Sequence, residues 1–316
     1  MPTEIPRYAD LSIGAGGRHA SGIFGADDDL GRLNLLTADA TNAAAAEIQR
    51  GRIFNLSLPL NLPDPPWSKI RKPYSHHIYH FDGREEIQDD YVDGFYLQHS
   101  TQWDGLRHVS NPATGRFYND VEASAAGPGG TRLGIEKWAQ HGIAGRAVLA
   151  DVSRYASRSG RPLNPRVSAP ITVQLLADTL RAEGVDLRAG DILLVRTGFL
   201  EAYLAADAAG RRDFARHRDC PGLHSGEEMA EFLWDSGVAV VAADNLAVEP
   251  VPPFPADESL HQRLIPLLGF ALGELFDLSD LARDSAADGR YTSFFVAVPL
   301  YIPGGVGSPG NAIAIK

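Results

Sequence analysis

The stretch YLQHSTQWDGLRHV, residues 96–109, sets two glutamines, two histidines, an aspartate and a tryptophan in one short run. Such polar side chains are costly to bury without partners. With Phe95 in front, the run FYLQHSTQWD is rich in aromatics and threonine, which favours a strand. Alternate residues of a strand share a face. Gln98, Ser100, Gln102 and Asp104 then point one way, and Leu97, His99, Thr101 and Trp103 the other. A helix would align Gln98 with Gln102 but turn Asp104 off that face. The strand reading therefore predicts that the oxygen-bearing side chains converge. Gly105 permits a turn, and His108 can fold back onto the same site. A solvated strand face fits the same pattern. The Gln-x-x-x-Gln pair is not a specific metal signal, because amide oxygens are neutral, weaker ligands than imidazole or carboxylate and suit Mn²⁺ better than Zn²⁺.

The flanking sequence reads as α/β. LTADATNAAAAEIQRG predicts a helix capped by Thr37 and ended near Gly51, followed by a strand in RIFNLSLPL. Residues 61–75 are proline-rich loop. From about residue 145 strands and helices alternate. RAVLADV, GDILLVRTG, VAVVAADN and TSFFVAVPLYIP read as strands, and TVQLLADTLRAEG and SGEEMAEFLWDSG as helices. Ser225 and Glu228 form a candidate capping box for the last helix. The continuous apolar strands predict sheets covered on both faces. No linker divides the chain, so the expectation is an N-terminal arm, residues 1–23, and a single compact domain over 24–316.

Composition narrows the functional classes. The 316 residues are 44% hydrophobic and 22% charged, with 29 basic and 40 acidic residues and a net charge of −11. A nucleic-acid partner is not expected, because phosphate binding needs basic patches. The apolar runs are far shorter than the roughly 20 residues needed to span a bilayer, and no secretory signal is visible after Met1. No membrane partner and a cytoplasmic location are the expectations. Cys220 is the only cysteine, so no intrachain disulfide can form. Neither a Gly-x-Ser-x-Gly elbow nor a dinucleotide-binding glycine fingerprint is present.

The central motif resembles that of the cyclase family, which includes bacterial kynurenine formamidases and isatin hydrolases and carries His-x-Gly-Thr-His-x-Asp-x-Pro-x-His. Thr101, Asp104 and His108 match it. Gln98 and Gln102 stand at its two ligand histidines, Ser100 at its glycine and Leu106 at its proline. The pattern is similar to a Gln-x-x-x-Gln-x-Asp-x-x-x-His branch in which trans-dienelactone hydrolase has been placed. The segments around FGADDDLGRLNLLT, GIAGRAVLADVSRY, CPGLHSGEEMAEFLWDSGVAVVAADN and LHQRLIPLLGFALGELFDL also resemble the family in order and spacing, over roughly residues 24–300.

The resemblance implies a swivelling β/β/α fold with mixed sheets, a homodimer or homotetramer, and a divalent metal, Mn²⁺ or Zn²⁺. It carries the metal positions onto Gln98, Gln102 and Asp104, and catalytic roles onto His108, His261 and Glu274. The implied activity is opening of a small lactone or cyclic amide by a metal-activated water. Ring closure or dehydration in a biosynthetic pathway, and a non-catalytic relative that binds a small ligand, are the alternatives. With glutamine at two ligand positions, a metal-free site in which His108 and Glu274 do acid–base chemistry also stands. Trp103 is a candidate substrate wall or a core residue. His76, His77 and His80, with Asp82, form a second histidine group, from which His77 is the candidate substrate contact on a flap formed by residues 61–82.

Overall fold

The computed structural model describes residues 5–316. Nine strands of one mixed sheet, numbered here in chain order, organise it. They are β1 (Ile53–Asn55), β2 (Gln102–Asp104), β3 (Ile143–Ala150), β4 (Ile192–Val195), β5 (Val240–Ala243), β6 (Ala271–Glu274), β7 (Thr292–Ala297), β8 (Gly307–Pro309) and β9 (Ala312–Ile315). The order across the sheet is β8-β2-β6-β5-β4-β3-β7-β9-β1. The four central strands, β3 to β6, run parallel. The flanking pairs are antiparallel. Strands β4, β5 and β6 are buried along their whole length, as their unbroken apolar runs require of a sheet covered on both faces.

Helices form where sequence signals place them. Thr37 accepts a hydrogen bond from the Ala40 amide at the head of helix Ala38–Ala44. Thr172 does the same for Leu175 ahead of helix Val173–Ala182. The capping box at Ser225 and Glu228 does not form. Gly226 is the cap of helix Glu227–Asp235, and the Ser225 hydroxyl instead accepts from the Phe254 amide, 3.3 Å away. The described part of the expected arm, from Ile5 onward, packs onto this helix. Pro6 accepts from the Trp234 indole at 2.8 Å, and the Tyr8 amide donates to Asp235 at 2.7 Å.

The predicted strand around residues 95–104 is corrected to three residues, Gln102–Asp104. The preceding polar groups are engaged by loops rather than by a ladder. The His99 amide donates to the Tyr96 carbonyl at 3.1 Å, closing a turn. The Arg71 guanidinium donates to the Gln98 carbonyl. Ser100 donates to the Pro59 carbonyl at 3.2 Å. Thr101 donates to the Leu275 carbonyl at 2.5 Å and accepts from the Leu58 amide at 2.9 Å. The face predicted for Ser100 is therefore lost, while Gln102 and Asp104 keep theirs.

Trp103 points to the opposite side and is core, not substrate wall. It is fully buried, lies edge-on to Phe276 at 4.9 Å and donates from its indole to the Gly310 carbonyl at 2.8 Å. A second apolar cluster pins the proline-rich loop. Trp67 packs on Tyr203 and Phe199 with ring centroids 4.8 and 5.5 Å apart, and Tyr203 accepts from the Asp64 amide at 2.8 Å. Residues Ser75–His80 and Gln88–Asp93 form a hairpin exposed on both faces. No helix among the described residues is long and apolar enough to cross a membrane.

Candidate active site

The site lies at the carboxyl end of β6, where open α/β sheets place their ligands. The β2–β6 register sets Gln102 opposite Glu274 and Asp104 opposite Leu272. Gln102 donates from its amide nitrogen to the Glu274 carboxylate. Gln98, reaching in from the turn, donates to Asp104 at 2.7 Å and meets His108 Nδ1 at 2.8 Å. Gly307 makes room for it. A Cβ there would stand 3.1 Å from the Gln98 side chain and 2.6 Å from the Trp103 carbonyl.

His261 joins from helix Leu260–Leu264. Its Nε2 is 3.0 Å from Glu274 Oε1 and 3.6 Å from Asp104 Oδ2. Its Nδ1 is 2.9 Å from Glu249 Oε1. Glu249 is held in turn by the backbone amides of Leu260 and His261. Two residues next to these carboxylates carry left-handed backbone that a side chain disfavours, Val248 at φ 58° and Leu275 at φ 57°. Such conformations persist where the surroundings over-determine them, and they concentrate at functional sites.

Burial and charge set the protonation states. Burial works against charge on His261, but the adjoining Asp104 carboxylate and the hydrogen bonds the ring makes to Glu249 and Glu274 outweigh it and hold the imidazole well above its ordinary pKa. Burial and the neighbouring Asp104 charge push Glu274 up to about 7. Asp104 is fully buried, yet His108, His261 and Gln98 keep it below the usual carboxylate range. Burial, with His261 and Arg71, lowers His108 despite Asp104. Burial also pushes the Cys220 thiol up to about 12, which removes it as a nucleophile.

Among the described residues, Asp104, His261 and Glu274 bring three ligand atoms within 4.8 Å of one another. Asp104 Oδ2 and Gln102 Oε1 are buried and have no hydrogen-bond partner. An array of buried carboxylates with spare lone pairs around one imidazole fits a divalent cation. The predicted residues Gln98, Gln102, Asp104, His108, His261 and Glu274 are thus brought together. His77 is not among them. It stacks on Tyr91 at 4.7 Å and sits 3.5 Å from Asp93 on the exposed hairpin, and His76 pairs with Asp90 at 2.7 Å, so no triad with His80 and Asp82 is built.

A cavity of about 270 Å³ adjoins the cluster, and its lining includes Gln98, His99, Gln102 and Glu274 together with Trp67, Arg71 and Arg218. His99 was expected to face away if the strand extended to it. The turn brings it to the cavity instead, with Nε2 buried and unpartnered. Glu249, Arg71 and Arg218 were not singled out by sequence. Glu249 follows the strand VAVVAADN, and loops after parallel strands are where function collects, which was the available signal.

Residues 54–250 match the family model described as Putative cyclase. The chain belongs to that family. A solved structure described as a novel cyclase is 36% identical, with a TM-score of 0.82 over 94% of this chain and 99% of its own. Isatin hydrolase A from Ralstonia solanacearum gives a TM-score of 0.58 at 19% identity, over 89% of this chain and 97% of its own. Isatin hydrolase A from Labrenzia aggregata gives 0.55 at 19% identity, over 89% and 98%. At that identity the two isatin hydrolases share the fold. No curated protein matches the sequence. As a cyclase-family member the chain has the family's architecture, a single compact α/β domain with a mixed sheet, and two glutamines where the family motif has histidines.

Proposed function

We propose that this cyclase-family protein is a metal-dependent hydrolase that opens a small lactone or cyclic amide with an activated water. The observation that carries this reading is the buried Asp104–His261–Glu274 cluster with its unpartnered Asp104 and Gln102 oxygens. Three carboxylates, counting Glu249, face one imidazole, so even a protonated His261 leaves the cluster negative and attractive to a cation. Asp104, His261 and Glu274 would hold the ion, with the Gln102 oxygen completing the set. The absence of sulfur from this set and the amide ligand favour Mn²⁺, with Zn²⁺ the other candidate. Such an ion, when bound, lowers the pKa of a water and polarises a carbonyl.

The remaining residues hold and move protons. Glu249 takes the His261 Nδ1–H and fixes the ring, leaving Nε2 toward Asp104 and Glu274. Gln98 presents its amide nitrogen to Asp104 and His108, so it orients those two rather than serving as a ligand. With Nδ1 accepting from Gln98, the neutral His108 ring carries its proton on Nε2; as the shuttle it would take up the proton released by the attacking water and, as imidazolium, give one to the leaving atom. Assembly as a homodimer or homotetramer belongs to the same proposal, and light scattering tests it.

The reading is tested by stripping the purified protein with a chelator, restoring Mn²⁺ or Zn²⁺, and assaying a panel of lactones and cyclic amides. About one ion per chain, lost together with turnover in Asp104→Ala, is the expected result. Full activity in that variant overturns the metal site. Binding of panel members without turnover by the metal-loaded protein makes it a ligand-binding relative.

A further inference from the structure

His261 stands between two carboxylates. Glu249 meets its Nδ1 at 2.9 Å and Glu274 its Nε2 at 3.0 Å. Each acid sits beside a residue with left-handed backbone, Val248 and Leu275. One residue bonds at both places. Asn245, just past the end of β5, donates from Nδ2 to the Glu249 carbonyl at 3.1 Å, and its own carbonyl accepts from the Leu275 amide at 3.0 Å. The same Nδ2 donates to the Pro221 carbonyl at 2.7 Å.

The side-chain amide has one possible orientation. Pro221 and Glu249 both offer carbonyl oxygens, so the group facing them is the nitrogen, the donor of this side chain. Oδ1 is then left without a partner in a fully buried residue. An unpaired buried oxygen is unfavourable, and an apolar side chain of the same size would avoid it. Such a side chain would also leave the two carbonyls without this donor. The chain segments here pass close together. A Cβ at Gly222 would stand 2.6 Å from Asn245 Nδ2 and nearer still to the Glu249 carbonyl. The Leu223 amide donates to the Val248 carbonyl at 2.8 Å, which pins the left-handed residue as well. Glu249 is thus held at both ends, its carboxylate by the amides of Leu260 and His261 and its carbonyl by Asn245.

We propose that Asn245 is a positioning residue that fixes the spacing of Glu249 and Glu274 and so keeps His261 between them. Its side chain bonds to backbone carbonyls, so it acts through Glu249 rather than on the imidazole. This rests on the hydrolase reading for the ion that the cluster binds, but not for the placement of the ring itself.

The test uses the full chain with Asn245→Leu, which keeps the volume and donates neither bond, and Asn245→Asp, which can donate at most one. The backbone bond to Leu275 survives both substitutions, so they release Glu249 alone. In the metal-free protein, ¹⁵N NMR of the histidine rings reads the His261 Nδ1–H, assigned by its loss in His261→Asn. That proton should move upfield in both variants, further in Asn245→Leu. Calorimetry with Mn²⁺ gives a second readout. Loss of an outer carboxylate weakens binding about 10- to 100-fold, and a residue acting through it should weaken it less, by roughly three- to tenfold. In the Glu249→Gln background the loss should shrink below about twofold, because the two effects share one route. An unmoved Nδ1–H signal in both variants overturns the proposal. Equal loss of Mn²⁺ affinity in the two backgrounds overturns it as well, since a general brace of the fold acts without Glu249. If the wild type binds neither Mn²⁺ nor Zn²⁺, the metal reading fails and the ring signal alone decides. Failure of both variants to fold also counts against it, because Asn245 then serves the fold rather than the site.

Discussion

Gln102 and Glu274 face each other across neighbouring antiparallel strands, and the glutamine amide nitrogen donates to the carboxylate. That contact leaves the Gln102 oxygen buried without a partner. The family motif has histidine at this position, and imidazole is the stronger ligand for a borderline ion such as Zn²⁺. Gln102→His should therefore tighten Zn²⁺ binding at least tenfold, read by competition with a chromophoric chelator. Unchanged Zn²⁺ affinity would show that this side chain does not reach the ion.

Glu249 touches His261 and neither of the other two cluster residues. Its proposed part is to fix the ring and its tautomer. Glu249→Gln keeps a hydrogen-bond acceptor but removes the charge. Loss of such an outer carboxylate typically weakens metal binding by about 10- to 100-fold. The expected outcome is weaker Mn²⁺ or Zn²⁺ binding in calorimetry with near-normal thermal stability. Equal metal affinity in the variant and the wild type would assign Glu249 to helix capping alone.

The spacing of Gln98, Gln102, Asp104 and His108 was enough to locate the site, because each side chain converges on it. The pleat argument held where the backbone is a strand, for Gln102, Trp103 and Asp104. It failed for His99, because the turn before β2 answers to Arg71, Pro59 and Leu58, residues far away in sequence. Arg71 and Glu249 were illegible for the same reason. Each sits in a loop, and only tertiary packing brings it to the cavity or to His261. The parallel centre of the sheet was legible because unbroken apolar runs such as VVAA have few other solutions.

Trp103 gives a test of core against substrate wall. Its ring fills the space between Phe276 and Phe295, with centroids 4.9 and 6.2 Å away. Trp103→Phe removes volume and the indole bond to Gly310. Partial loss of a large core side chain should destabilise by about 1–3 kcal/mol, visible in urea unfolding. KM should stay within about twofold, because the ring does not border the cavity. A large rise in KM without loss of stability would return Trp103 to the substrate site.

Glu183 provides a pH signature away from the active site. It caps the end of helix Val173–Ala182, and its Oε1 accepts from the Asp151 amide at 2.9 Å. Oε2 is buried without a partner. Burial pushes the carboxyl up from 4.5 to about 8, the Asp151 charge adds to the rise, and the Asp151 N–H opposes it. The folded state therefore holds a proton that the unfolded chain releases at much lower pH. This contribution to stability is fully present below about 4.5 and declines as pH rises toward 8. Glu183→Gln does not titrate, so the variant should gain on the wild type steadily across that window in urea unfolding. Parallel stability curves for the two proteins between pH 5 and 8 would mean that Glu183 is already ionised in the fold.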